Sequence, residues 1–163
     1  MAKDKKLNSM RILEKAEIPY EVFEYDDTER DAEVVAELIG ALPEMVYKTL
    51  VVHPVGANKP FLVLLACNRQ LDLKRMAAVA GEKKVQMAAH ADAEKWTGLK
   101  VGGISALMLM DKHWQVYLDS PASELQNIFI SAGQKGTQLR LPVLALINLL
   151  RAKLVDVSKE SEA

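Results

Sequence analysis

The sequence predicts an α+β fold of mixed α/β type, a single domain over residues 1–163 with a mixed central sheet flanked by helices. Three observations predict it. Segments with the period of amphipathic helices alternate with short β-branched and aromatic runs, so helices and strands intermingle along the chain. Short turn-rich links, of which residues 54–60 are the clearest, favour antiparallel neighbours over a doubly wound parallel sheet. A chain of 163 residues, 50% hydrophobic, is long enough for one sizeable core and short for two.

Taken in order, Leu7, Met10, Leu13 and Ala16 recur at helical spacing within residues 5–17, and Pro19 closes that helix. Residues 20–25 have strand composition and run into a polar loop over 26–30. Asp31 can cap a helix whose face is Val34, Val35, Leu38 and Ile39, with Gly40 at its end. A turn at Pro43 leads into a strand over 46–53, and the apolar run 61–67 returns as a strand covered on both faces. Asp72 caps a helix over 73–80 that Gly81 ends, 84–87 is a short strand, and Asp92 starts a helix that stops near Gly98. Residues 108–110, 115–119 and 127–130 read as strands, 131–136 as a turn and 137–141 as an alternating strand. Pro142 opens the last helix, and 158–163 is a polar tail expected to fray.

Lys and Arg number 21 against 22 Asp and Glu, a formal charge of −1, so no global basic field announces nucleic acid and any RNA contact is local. A lone cysteine, Cys67, excludes an internal disulfide framework, and residues 1–6 are polar rather than an apolar leader. A soluble protein of a reducing, cytoplasmic compartment is the expectation. The longest apolar run, 141–150, contains Pro142 and Asn148 and falls short of the ~20 residues of a membrane span.

His53, His90 and His113 lie far apart and none pairs with cysteine at ligand spacing, so no metal site is expected. Cys67 carries no nucleophile signature, and phosphate-binding and dinucleotide fingerprints are missing. The turn 131–136, with Gly133, Lys135 and Gly136, reads either as a hairpin turn or as a phosphate-accepting one. What remains is Lys48, a single cation in an apolar strand, which either snorkels to solvent or is aimed into a pocket. Gly102-Gly103 leaves backbone that no side chain shields, so amide donors and a fixed positive charge together could receive a carbonyl, an ester or a phosphate.

The motifs Val46-Tyr47-Lys48-Thr49-Leu50, Gln70-Leu71-Asp72-Leu73-Lys74, Thr97-Gly98, Val101-Gly102-Gly103-Ile104-Ser105 and Asp119-Ser120-Pro121 occur in this order. Together they resemble the YbaK/EbsC family of aminoacyl-tRNA deacylases, which includes Cys-tRNA(Pro) deacylase and is similar to the editing domain inserted in bacterial prolyl-tRNA synthetases. The resemblance spans most of the chain. It implies a mixed sheet curled into a barrel-like form, and hydrolysis in trans of a mischarged aminoacyl-tRNA ester without metal or organic cofactor. It also implies the aminoacyl-tRNA acceptor end as partner, with prolyl-tRNA synthetase as a second. Lys48 matches the family's functional lysine, and Gly102, Gly103, Ile104 and Ser105 match its pocket loop. Lys48, Gly102 and Gly103 are thus the catalytic candidates, and Tyr20, Ile104, Ser105, Asp119, Ser131 and Gly133 the substrate-binding ones. The chain departs from the family pattern at Ala106 and Met108, where proline and glycine are common, and at Ala132, where a second glycine is usual.

A general base would need a pKa near 7 rather than ~10.4, a shift worth about 4 to 5 kcal/mol. The expectation is therefore a charged Lys48 that orients the terminal adenosine or its phosphate, while the glycine amides receive the ester carbonyl. The attacking group is water, a ribose hydroxyl or a substrate thiol. The alternative is a non-catalytic member that binds tRNA ends, nucleotides or a synthetase. Ala106 and Met108 keep it open, because a changed loop can change the pocket and the acyl group it accepts.

Overall fold

The computed structural model describes residues 6–26 and 31–161. Expectations for residues 1–5, for the loop at 27–30 and for the last residues of the tail, 162–163, lie outside these. Along the chain run α1 (Asn8–Lys15), β1 (Glu21–Glu24), α2 (Ala32–Leu38), β2 (Tyr47–Pro54), β3 (Phe61–Ala66) and β4 (Arg69–Leu71). Then follow α3 (Leu73–Ala80), β5 (Val85–Met87), α4 (His90–Thr97), β6 (Val116–Asp119), β7 (Asn127–Ser131) and β8 (Thr137–Pro142). The chain closes with α5 (Val143–Leu150), β9 (Lys153–Val155) and β10 (Ser158–Glu160).

The apolar runs around Lys48 explain the centre. β2 and β3 pair antiparallel from Tyr47↔Ala66 to Val52↔Phe61, and all six residues of β3 are buried. Its side chains alternate between two cores: Leu62, Leu64 and Ala66 pack with Leu118, Ile130 and Leu139, whereas Val63 and Leu65 pack with Met76, Tyr117 and Val157. Each such side chain contributes about 1.5 to 3 kcal/mol on burial, which fixes the register, since a one-residue slip would exchange the two faces.

The main sheet runs β5-β2-β3-β6-β9, with β2 antiparallel to β3 and β5, and β6 parallel to β3 and β9. The expected mixed sheet is present. It stays open rather than closing into a barrel, because its edges β5 and β9 are three-residue strands that do not pair with each other. A second antiparallel sheet, β1-β8-β7, joins it through a parallel bridge between Val46 and Phe129. That bridge brings the entrance of β2 beside the end of the second sheet.

Helix ends follow their capping residues. The Asp31 carboxylate accepts the Glu33 N–H at 2.9 Å ahead of α2, and Asp72 accepts the Arg75 N–H at 3.1 Å ahead of α3. Gly81 and Gly98 close α3 and α4 in left-handed conformation. Three expectations change. α4 begins at His90, so Asp92 lies in its first turn rather than at its cap. Residues 107–112 form a 3-10 helix rather than a strand, because Met108 and Leu109 N–H bond back to Ser105 and Ala106 carbonyls. Ser158 to Glu160 are not a frayed tail: they pair with β4, and Ser158 is 2% exposed. No described helix is long and apolar enough to cross a membrane.

Candidate functional site

Alternation along β2 sends Tyr47 and Val51 into the larger core and leaves Lys48 and Leu50 on the opposite face, and residues of both faces edge one opening at this strand. There a cavity of about 470 Å³ opens, and Lys48, Gly102, Ile104 and Ser131 line it. Four of the residues singled out in the sequence are thus brought together from β2, the glycine loop and the end of β7. Ala32 and Val35 of α2, with Val46 and Cys67, add an apolar wall.

Lys48 is half-buried. Burial pulls its pKa below the ordinary lysine value, while Cys67, Glu33 and Asp31 push it back up. The cation therefore faces the acidic start of α2. No neighbouring cation is among the influences on Lys48, and Arg69 is engaged elsewhere, its Nε donating to Ser158 Oγ at 2.6 Å.

The two loop glycines do different work. Gly102 has φ +95°, is exposed, and its N–H meets no acceptor among the described residues. Gly103 N–H is spent on the Lys100 carbonyl at 2.8 Å, and Gly103 does not line the cavity. A Cβ on Gly103 would lie 2.9 Å from Gln134 Cα, Gln134 C and Lys135 N. Gly103 lets the loop rest directly on the 131–136 turn, so one glycine amide, not two, is available to a ligand. The same packing lays Lys135 over Gly102, with its Cγ 3.6 Å from where a Gly102 Cβ would stand.

The other candidates are held elsewhere. Tyr20 donates its hydroxyl to Glu14 at 2.5 Å, outside the cavity lining. Ser105 is fully buried, and its Oγ accepts the Leu107 N–H at 3.2 Å, which closes a local turn. Asp119, at 0% exposure, accepts the Val157 N–H at 3.1 Å and the Ser158 hydroxyl, so it fastens β10. Gly133, at φ +106°, backs onto Met108, whose Cγ would lie 2.6 Å from a Cβ there. Ser131 does line the cavity and accepts the Gly133 N–H at 3.2 Å. Neither Ala106 nor Met108 reaches the cavity.

Sequence reasoning missed Tyr25, His90 and Gln138 in the lining. Tyr25 is brought there because its N–H donates to the Gly136 carbonyl at 3.0 Å, a contact with no local sequence signal. Gln138 pairs across the sheet with Ser131. It sits at a polar position of an alternating strand, which reads as solvent-facing, yet it is 7% exposed. Cys67 also lines the cavity, but its thiol donates to the Pro43 carbonyl at 3.2 Å, and burial pushes its pKa up to about 11. It is a poor nucleophile as it stands. Among the described residues, no three His, Cys, Asp or Glu side chains gather to hold a metal.

Set against known proteins, residues 26–149 match the model of the aminoacyl-tRNA editing domain. A candidate Cys-tRNA(Pro)/Cys-tRNA(Cys) deacylase of Enterococcus faecalis, EbsC, is 36% identical over 97% of this chain and 98% of its own. Among solved structures, a candidate trans-editing enzyme for prolyl tRNA synthetase superposes with a TM-score of 0.79 at 21% identity, over 95% of this chain and 99% of the other. The hypothetical protein APE2540 gives 0.80 at 18% identity, over 91% and 97%. At these identities the two structures bear on the fold.

Proposed function

The chain belongs to the aminoacyl-tRNA editing domain family, and from that premise we propose that it hydrolyses the ester of a mischarged aminoacyl-tRNA in trans, with Cys-tRNA(Pro) as the leading substrate. The observation that carries the reading is the single cavity shared by Lys48 and the unspent amide of Gly102. Lys48 acts as a cation in this reading: burial lowers its pKa, and Cys67 with the acidic groups at the start of α2 works against that lowering. It orients the terminal adenosine or its phosphate. The Gly102 amide receives the ester carbonyl, and one such donor is worth about 2.7 to 4 kcal/mol at an oxyanion. An aminoacyl ester is already activated, so positioning of water, a ribose hydroxyl or a substrate thiol completes the chemistry. Cys67 is not the nucleophile, since its thiol is buried and bonded.

A nearly neutral chain attracts tRNA weakly, and a hydrophobic pocket separates small side chains by only about 1 to 3 kcal/mol per methylene. Selection of the right tRNA therefore falls to a partner such as prolyl-tRNA synthetase, in the cytoplasm where charging takes place. The competing reading, a non-catalytic binder, rested on Ala106 and Met108, and both lie outside the cavity lining. The test is a deacylation panel across mischarged tRNAs, including Cys-tRNA(Pro) and Ala-tRNA(Pro), with wild type and Lys48→Ala. Turnover by the wild type and its loss in the variant are expected. A wild type that binds without hydrolysing would leave the binder, and undiminished turnover in Lys48→Ala would remove the lysine from the mechanism.

A further inference from the structure

The segment from the end of α4 to Ile104 carries the open amide of Gly102, yet it has no regular secondary structure of its own. Its shape is held by a series of short ties. Thr97 Oγ1 accepts the Leu99 N–H at 3.1 Å, and the Lys100 carbonyl accepts the Gly103 N–H at 2.8 Å. Between them, Glu94 Oε2 accepts the Val101 N–H at 2.8 Å. This last tie holds the Lys100–Val101 peptide, whose carbonyl is the one that takes the Gly103 N–H. The Val101–Gly102 peptide, which carries the Gly102 N–H, lies inside the turn that the Lys100···Gly103 bond closes and runs into a glycine at φ +95°, so its setting depends on how the Lys100–Val101 peptide is held.

Glu94 is well placed to hold that peptide. Its backbone carbonyl accepts the Gly98 N–H at 2.8 Å at the end of α4, so the residue spans helix and loop. Oε2 is also 3.3 Å from His90 Nε2, and Oε1 is 3.9 Å from Lys100 Nζ, so the carboxylate is steadied from both flanks. The Val101 amide is the largest of the influences that lower its pKa. A charge-assisted N–H···O bond of this length is roughly twice as strong as a neutral one. On the far side, Gly103 rests on the 134–135 backbone. The loop is gripped between a carboxylate and a turn.

We propose that Glu94 is a positioning residue: it fixes the Lys100–Val101 peptide, and through the turn that Gly103 closes on that peptide it sets the Val101–Gly102 peptide after it, so that the Gly102 N–H points at the ester carbonyl, without itself touching substrate. The inference rests on the deacylase reading for its kinetic part only. The test compares Glu94→Ala and Glu94→Gln with wild type in deacylation kinetics, in amide hydrogen exchange at Val101 and in thermal melting. Glu94→Ala should lower kcat roughly 10- to 100-fold, as expected for an oxyanion donor left unaligned, with KM held within about twofold. Val101 protection should fall with it. Glu94→Gln retains an oxygen acceptor and should recover most of both. Unchanged Val101 exchange in Glu94→Ala, or a Gln variant as impaired as the Ala variant, would overturn the proposal, as would a kcat loss matched by loss of cooperative melting. A wild type inactive on every aminoacyl-tRNA would refute the deacylase reading instead, and the exchange measurement would still decide whether Glu94 holds the loop.

Discussion

Gly103→Ala puts the close approach of the two loops to the test. The added methyl would meet Gln134 Cα, Gln134 C and Lys135 N, each at 2.9 Å. Carbon atoms pack best at about 3.5 to 4.0 Å, so one loop must retreat by more than half an ångström. All three atoms are backbone and cannot step aside as a flexible side chain would. Overpacking of this kind costs about 1 to 3 kcal/mol. At roughly 2 to 4 °C per kcal/mol for a chain of this size, the melting temperature should fall by about 2 to 12 °C. The φ of Gly103 lies outside the left-handed region, so collision alone is at issue. Gly56→Ala is the control, because that site has φ +83° and open space around it, and it reports the backbone cost without a clash. Calorimetry of the three proteins, with deacylation measured in parallel, should show Gly103→Ala losing both stability and turnover. A Gly103→Ala protein that melts with the wild type and keeps its turnover would refute the close-approach argument.

Cys67→Ser should still hydrolyse, which a nucleophilic role for the thiol would forbid, since the hydroxyl can donate to the Pro43 carbonyl as the thiol does. In the wild type the thiol pKa is raised from 9.0 to about 11, so near pH 8 the folded protein holds roughly a hundredfold less thiolate than an unhindered cysteine. Labelling with a thiol reagent should be slow until the protein unfolds. The sign for stability follows: the folded thiol keeps its proton while the unfolded one ionises, so this contribution is lost as pH rises from 9 towards 11. Asp119→Ala strands the Val157 N–H and the Ser158 hydroxyl, and should destabilise by about 2 to 4 kcal/mol in denaturant titration. Its KM under native conditions should be unchanged, and a raised KM would return Asp119 to the substrate site.

Legibility in the sequence tracked how local the deciding physics is. The α3 helix was readable end to end because its cap, Asp72, and its terminator, Gly81, sit beside it in the chain. The β2–β3 hairpin was readable because its apolar runs flank a turn-rich link. β4, β9 and β10 were not: unlike β5, which the sequence does predict, they have no bounding pattern of their own and take their pairing from partners far away, as Leu71 does from Ser158. At 107–112 the apolar residues looked like strand, and backbone bonds to the preceding turn decided otherwise. The site followed the same rule. Lys48, Gly102, Ile104 and Ser131 are legible in the chain, but Tyr25 is not: Tyr20 is held locally by Glu14, whereas Tyr25 reaches the cavity through the distant Gly136 carbonyl.

The same distinction bears on selectivity. The sequence alone predicts that the loop after Ser105 governs which acyl group is accepted. Met108 instead covers Gly133 from behind, and Ala132 beside it is fully buried, its carbonyl accepting the Ser9 hydroxyl of α1 at 2.5 Å. Met108 and Ala132, two of the three departures from the family pattern, thus meet on the side of the turn that packs against α1, away from the cavity. A methionine where glycine is common fills space there without narrowing the pocket. For a substrate whose ester carbonyl meets the Gly102 amide, the apolar wall left for the side chain is Ala32 and Val35 of α2 with Val46 and Cys67. Enlarging Ala32 should therefore change which aminoacyl group is hydrolysed, whereas Met108→Gly should change stability and leave that ranking intact. A ranking that shifts with Met108 and not with Ala32 would put the selective wall back on the loop.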